Sequence, residues 1–303
     1  MIDLVSVVFA EEIPLIEIQA RSIDLYVPTE LVDSIYVVVN DSKDICNQIQ
    51  PHWWGKHEQK IKILHRNDLS VLSATMYGWD SQQLLKLLAA AKSQNNYVYT
   101  LDAKTWFVRT LEYELLFDKT SKSNAELMPL FDGFKCTAPF LTGFYGKLYR
   151  HIIGPGGVPF PFHTESLQLM IADIETKTNK PFDVFFSEAV QFPINITEFT
   201  LYSAYICSKN FFDKLYTYRQ PYKVVNIAHF QIDEFEELFS QMCNQNTLTV
   251  SIHKNTYQQL SQNQFQRWCQ LLVDKKLCHD LENAQNQLNT FRKGVDNGAG
   301  IRL

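Results

Sequence analysis

Four apolar segments in the first third of the chain, each followed by an acidic residue and spaced by longer stretches, limit the fold more than any other feature. Leu4 to Ala10 (LVSVVFA), Ser34 to Asp41 (SIYVVVND), the segment QKIKILHRNDLS ending near Asn67 and Asp68, and YVYTLDA around Asp102 read as strands. After the first comes EIPLIEIQARSIDLYV, helical in period, with Pro14 acceptable in a first turn. Before the fourth comes Trp79 to Ser93 (WDSQQLLKLLAAAKS), rich in strong helix formers. This alternation predicts an α/β fold with a mixed, mostly parallel sheet flanked by helices. A chain of 303 residues without a clear linker favours one domain, residues 1–290, with 291–303 expected to be a mobile tail.

In such sheets ligands bind beyond the carboxyl ends of the strands. That rule selects Glu11, Asp41, Asp68 and Asp102, each an acid at or just after a strand end. Asp102 is the strongest candidate, because an acid there can ligate Mg²⁺ or Mn²⁺ together with substrate phosphates. A turn or capping aspartate is the plainer reading. Lys104, two residues on, falls on the same side as Asp102 if the strand persists. It would either offset diphosphate charge or pair with Asp102, and either role weakens a metal there. Gln82 and Lys86 share one face of the preceding helix at i and i+4. That face points into the cleft, with Lys86 on a phosphate, or it is an outer solvated face.

The middle of the chain is less regular. Residues 154–166 (GPGGVPFPFHTES) form the densest Gly/Pro cluster and are expected to be a loop, followed by the helix SLQLMIADIETKT. His163 lies in that loop, where function is often carried, and is a candidate donor-binding residue. Glu198 opens the aromatic-lined helix of NITEFTLYSAYICSK. It is either a sugar-binding carboxylate or a first-turn glutamate favoured by the helix dipole. His229 and His253 close two short strands, YKVVNIAHF and NTLTVSIHKN, where a histidine can ligate metal, bond phosphate or be structural.

Several classes are disfavoured. AEEIP follows the first strand where a dinucleotide fold would carry G-x-G-x-x-G, and neither a P-loop nor a G-x-S-x-G elbow occurs. A net charge of -5 argues against a nucleic-acid-binding surface covering the whole molecule and leaves room for a local basic pocket. The six cysteines include no C-x-x-C pair, which suggests reduced thiols. The N-terminal apolar run lacks a basic region before it, and no apolar run approaches the length of a membrane span. The expectation is a cytoplasmic protein.

The run GWDSQQLLKLLAA…YVYTLDAKTWFVRTL, followed by FHTESLQLMIADIE, TEFTLYSAYI and VSIHKNTYQQLSQNQ, resembles an uncharacterised group of bacterial and phage glycosyltransferase-like proteins. That group is placed with the GT-A nucleotide-sugar transferases. The resemblance implies a nucleotide-binding half over 1–111 and an acceptor half over 112–290. It further implies a nucleotide-sugar donor, a saccharide or other hydroxyl acceptor, and a place in surface polysaccharide synthesis. On the residues that match, Phe9 to Glu11 and Asp41 would border base and ribose. Lys86 would face the donor diphosphate, and Asp102 is the first acid of a DxD-like motif. Glu198 would be a sugar carboxylate and the general base of an inverting reaction, and His253 would complete the metal or phosphate site. Lys104 in place of the second acid leaves Mn²⁺ or Mg²⁺ dependence open. Two other readings stay open: a sugar-phosphate nucleotidyltransferase, and a non-catalytic saccharide- or nucleotide-binding module of the same fold.

Overall fold

The computed structural model describes residues 1–154, 157–228 and 230–293. The first four strands are β1 (Ile2–Val8), β2 (Val32–Val39), β3 (Ile61–His65) and β4 (Tyr97–Asp102). Eight more follow among the described residues: β5 (Trp106–Phe107), β6 (Ser123–Ala125), β7 (Leu127–Pro129), β8 (His151–Ile153), β9 (Phe160–His163), β10 (Tyr216–Tyr218), β11 (Lys223–Ile227) and β12 (Thr247–Ile252). The central sheet has the order β3-β2-β1-β4-β9, with the first four strands parallel and β9 antiparallel to β4. This is a mixed α/β fold with a mostly parallel sheet and flanking helices, as the alternation predicts.

Every residue of β1 is buried, as expected for a central parallel strand covered on both faces. Helix α1 (Ile13–Tyr26) follows β1, and helix α2 (Gly78–Ala91) connects β3 to β4. The sheet grows one way from β1 through β3 and then jumps back past β1 to β4. Right-handed crossovers therefore place α1 and α2 on opposite faces. The strand order reverses between β1 and β4, and the crevice at such a switch point is where an open α/β sheet takes its ligand.

The Gly/Pro cluster contains a strand that its composition conceals. β9 lies at the sheet edge, where Pro161 loses no ladder donor that the sheet requires. A second sheet, β11-β12-β5, joins β5 to the distant β12, with Val250 opposite Trp106. Trp106 stacks on Trp268 at 5.5 Å and donates its indole N–H to the carbonyls of Leu15 and Ala103, both at 3.2 Å. These contacts weld the β4–β5 turn to α1. At the C-terminal end, the helix Leu281–Arg292 buries Phe291 against the body, so packing continues past residue 290. Residues 294–303 lie outside the described residues.

Candidate functional site

β4 ends at Asp102, and the chain turns there, with Thr105 N–H donating to Asp102 C=O at 2.8 Å. The buried Gln19 of α1 fixes this turn. Its amide donates to the carbonyls of Asp102 (2.6 Å) and Thr105 (3.0 Å), while its oxygen accepts from Ser6 Oγ at 2.6 Å. The strand does not persist to Lys104; the turn brings that side chain back, and its Nζ lies 3.1 Å from Asp102 Oδ2.

The other oxygen of Asp102 meets Lys86 Nζ at 2.6 Å, and the same ammonium lies 3.1 Å from Glu198 Oε1. Lys86 is only 4% exposed, so its helix face is neither solvated nor open to a phosphate. Burial opposes charge on Lys86, yet Asp102 and Glu198 outweigh it and hold its pKa above the ordinary value. Burial likewise favours the neutral form of Asp102, but Lys104 and then Lys86 overcome it and hold this carboxyl well below the usual range. For Glu198 burial prevails over Lys86, and its pKa is raised. Glu198 is the first residue of the helix Glu198–Ser208, whose cap is Thr197 Oγ1 accepting from Thr200 N–H at 3.1 Å. Its own N–H donates to Gln83 Oε1 at 3.3 Å, so Gln83 rather than Gln82 ties α2 to the backbone at the start of this helix.

Asp102 and Lys104 line a cleft of about 640 Å³. Phe199, Glu126, Tyr222, Lys223 and His253, all later in the chain, also line it. The volume falls in the ordinary range for a small-molecule site. Phe199 stacks on Phe160 at 4.4 Å between ring centres and carries Lys86 Nζ 5.5 Å from its own. Glu198 does not line the cleft; it is buried behind Asp102 and Phe199.

The remaining predicted residues divide between the two ends of the sheet. Glu11 stands at the switch point, 3.3 Å from Lys254 Nζ. Asp41 closes β2 by accepting from Ala10 N–H (3.1 Å) and Ser42 N–H (2.7 Å). Asp68 is exposed beyond the edge strand β3 and accepts from His65 N–H at 2.8 Å, a local cap. His163 is a correction. β9 runs antiparallel to β4 and pairs His163 with Tyr97, which puts it at the opposite end of β4 from Asp102, roughly 16 Å away at the usual strand rise. There it caps the helix Thr164–Thr178 through Nδ1 and Ser166 N–H (3.3 Å), and has no place at the cleft. His229, Pro155 and Gly156 lie outside the described residues.

The fit to a divalent metal is poor. Both oxygens of Asp102 are engaged by ammonium groups, and His253 Nδ1 accepts from Asn255 N–H at 3.3 Å. Among the described residues, no group of three or more His, Cys, Asp or Glu is placed to hold a metal ion. Mg²⁺ or Mn²⁺ prefers uncommitted oxygen ligands, which this donor set does not offer.

Sequence reasoning missed Gln19, Glu126, Lys254 and Glu12. Glu12 is buried and accepts from Phe9 N–H at 3.2 Å. Burial raises its pKa, against the pull of Lys104 and Lys254.

An acid-tipped, mostly parallel sheet with a cleft beyond the carboxyl end of β4 defines the class: a mixed α/β domain with a mostly parallel central sheet and flanking helices. The chain belongs to a family of unknown function, DUF6492, whose model matches residues 5–234. No curated protein matches it in sequence. Among solved structures it is similar to the galactosyltransferase LgtC in complex with donor and acceptor sugar analogues. The identity is 11% over 90% of this chain and 95% of that one, with a TM-score of 0.46. It is also similar to mouse xyloside xylosyltransferase 1 (11% identity, 82% and 97% covered, TM-score 0.43). A further match is the glycosyltransferase GlyE of Streptococcus pneumoniae (13% identity, 95% of this chain and 63% of that one, TM-score 0.48). Among the described residues, no helix is long and apolar enough to cross a membrane.

Proposed function

We propose that this protein transfers a sugar from a nucleotide-sugar donor to a hydroxyl acceptor. The observation that carries this reading is the Asp102–Lys104 pair lining the cleft, at the switch point between β1 and β4. The sequence resemblance to the GT-A transferases, which runs in order along most of the chain, supports it. Glycosyl transfer requires stabilisation of the departing diphosphate and placement of the attacking hydroxyl. Lys104 supplies positive charge at the strand ends, while Phe199 offers a ring against which an apolar sugar face can lie.

An inverting reaction also needs a base within reach of the acceptor. Glu198 is held by Lys86 and lies behind the cleft wall, so it serves to fix Lys86. Glu126 is the cleft-lining carboxylate from the acceptor half, and we assign it the base. A role in surface polysaccharide synthesis rests on the sequence resemblance alone.

The test is thermal-shift screening against nucleoside diphosphates and nucleotide sugars, followed by donor turnover for any hit. A donor site gives a gain in melting temperature, since a ligand binding only the folded state stabilises it. No shift with any donor would sink the transferase reading.

A further inference from the structure

We infer that Lys104 and Lys254 act as a pair of cations that receives a diphosphate, each held on a carboxylate until the ligand arrives. The inference rests on the proposed transferase reading for the identity of the donor, but not for the chemistry of the diphosphate.

The two lysines come from distant parts of the chain and converge by topology. Lys104 lies in the turn between β4 and β5, and Lys254 follows the end of β12. β5 runs antiparallel to β12, with Val250 opposite Trp106. The residues just before β5 therefore lie alongside those just after β12. β1 lies beside β4, with Val7 opposite Asp102, so the segment after β1 carrying Glu11 and Glu12 reaches the same place. Lys104 lies 3.1 Å from Asp102, and Lys254 lies 3.3 Å from Glu11. The Glu12 carboxyl, tied to Phe9 N–H, lies under the field of both lysines.

Neither lysine is committed as Lys86 is. Lys86 is 4% exposed and bridges two carboxylates, while Lys104 is 19% and Lys254 36% exposed, each with one ion-pair partner among the described residues. Partly exposed single ion pairs contribute little, so a ligand with several negative oxygens can displace them readily. A diphosphate offers such oxygens, and two ammonium groups would offset charge that a divalent cation would otherwise carry. Asp102 and Glu11 keep the cations in position in the empty site and release them to the ligand.

The test is calorimetric titration of the full chain with inorganic pyrophosphate and with a panel of nucleoside diphosphates, in EDTA and then with Mn²⁺. The expected result is binding in EDTA that Mn²⁺ does not strengthen. K104A and K254M should each weaken it about tenfold or more, as loss of a charge-assisted hydrogen bond does. E11Q frees Lys254 and should tighten binding by about two- to fivefold, an effect that no merely structural role produces. Melting temperatures of the variants check that each one folds. Binding that requires Mn²⁺, or that is unchanged in K254M and E11Q, overturns the inference. Nucleotide-sugar turnover separates the two claims. Lysine-dependent pyrophosphate binding without any turnover removes the transferase reading and leaves the cation pair. Turnover unaffected by K254M does the reverse.

Discussion

The Nζ of Lys86 lies 2.6 Å from Oδ1 of Asp102, and this contact joins the middle of α2 to the carboxyl end of β4. The same ammonium binds Glu198, so one buried cation ties the first half of the chain to the aromatic helix that walls the cleft. Its two partners differ in what they would lose without it. Lys86→Ala leaves the buried Glu198 carboxyl without its ion pair and Asp102 with Lys104 alone, and should destabilise the fold by about 3–5 kcal/mol. Glu198→Gln should cost only about 1 kcal/mol, because burial already favours the neutral acid and Lys86 keeps Asp102. Urea denaturation of the two variants checks the ordering.

The same triad sets an acid dependence. Asp102 has a depressed pKa in the fold, so its contribution is present above its ordinary value of 3.8 and is lost as pH falls below it. Glu12 and Glu198 have raised pKa values, so theirs is present below the ordinary 4.5 and is lost as pH rises through their folded values. Asp102→Asn removes the first effect, leaves that of Glu12 and lessens that of Glu198, whose pKa the Asp102 charge helps to raise. The stability gap between wild type and Asp102→Asn should therefore be widest near neutrality and close as pH drops below about 3.8. A gap that stays constant across denaturation curves from ~pH 7 to ~pH 3 would contradict this.

His163 provides a control at the far end of β4. Its Nδ1 accepts from Ser166 N–H at the start of a helix, and cap loss typically costs about 0.5–2 kcal/mol. His163→Ala should lose stability in that range and leave nucleotide binding unchanged. A loss of ligand affinity larger than the loss of stability would place His163 back at the site.

Glu126 is expected to act late in the reaction. If it activates the acceptor hydroxyl, Glu126→Gln should lower transfer by about 10²–10⁴-fold, the usual yield of general base catalysis. Donor-induced stabilisation should persist, because the positive charge offered to the diphosphate comes from Lys104 and not from Glu126. Steady-state transfer assays set beside thermal shifts with donor alone would show whether the two readouts separate.

The sheet was legible because its signal is local: buried strands, strong helix formers, and acids where each strand stops. Asp102 and Glu11 could be picked from that pattern alone, and both stand at the switch point. What the pattern could not show was the partner of each charge. Lys86 meets Glu198 across 112 positions, and Lys254 meets Glu11 across 243, separations that only tertiary packing closes. Gln19 was invisible for the same reason, since a glutamine in an amphipathic helix looks solvated until two distant carbonyls are seen to need it. His163 misled because a Gly/Pro-rich segment reads as a functional loop. Its proline in fact sits in an edge strand, and the antiparallel direction of that strand carries the histidine away from the cleft.

Replacing Lys104 by Asp tests how far the site is from one that holds a metal. The substitution removes the ammonium 3.1 Å from Asp102 Oδ2 and sets a second carboxylate two residues on, while Lys86 continues to hold Oδ1. One Asp102 oxygen, the new acid and diphosphate oxygens together then make the hard-oxygen set that Mn²⁺ accepts. In the presence of a nucleoside diphosphate, Mn²⁺ should raise the melting temperature of Lys104→Asp and leave that of the wild type unchanged. At a free concentration 100 times the dissociation constant the gain corresponds to about 2.7 kcal/mol, well within reach of a thermal-shift measurement. Equal responses in the two proteins would mean that Lys104 does not stand in for metal charge, and the wild-type site would then have to be rebuilt around a cation.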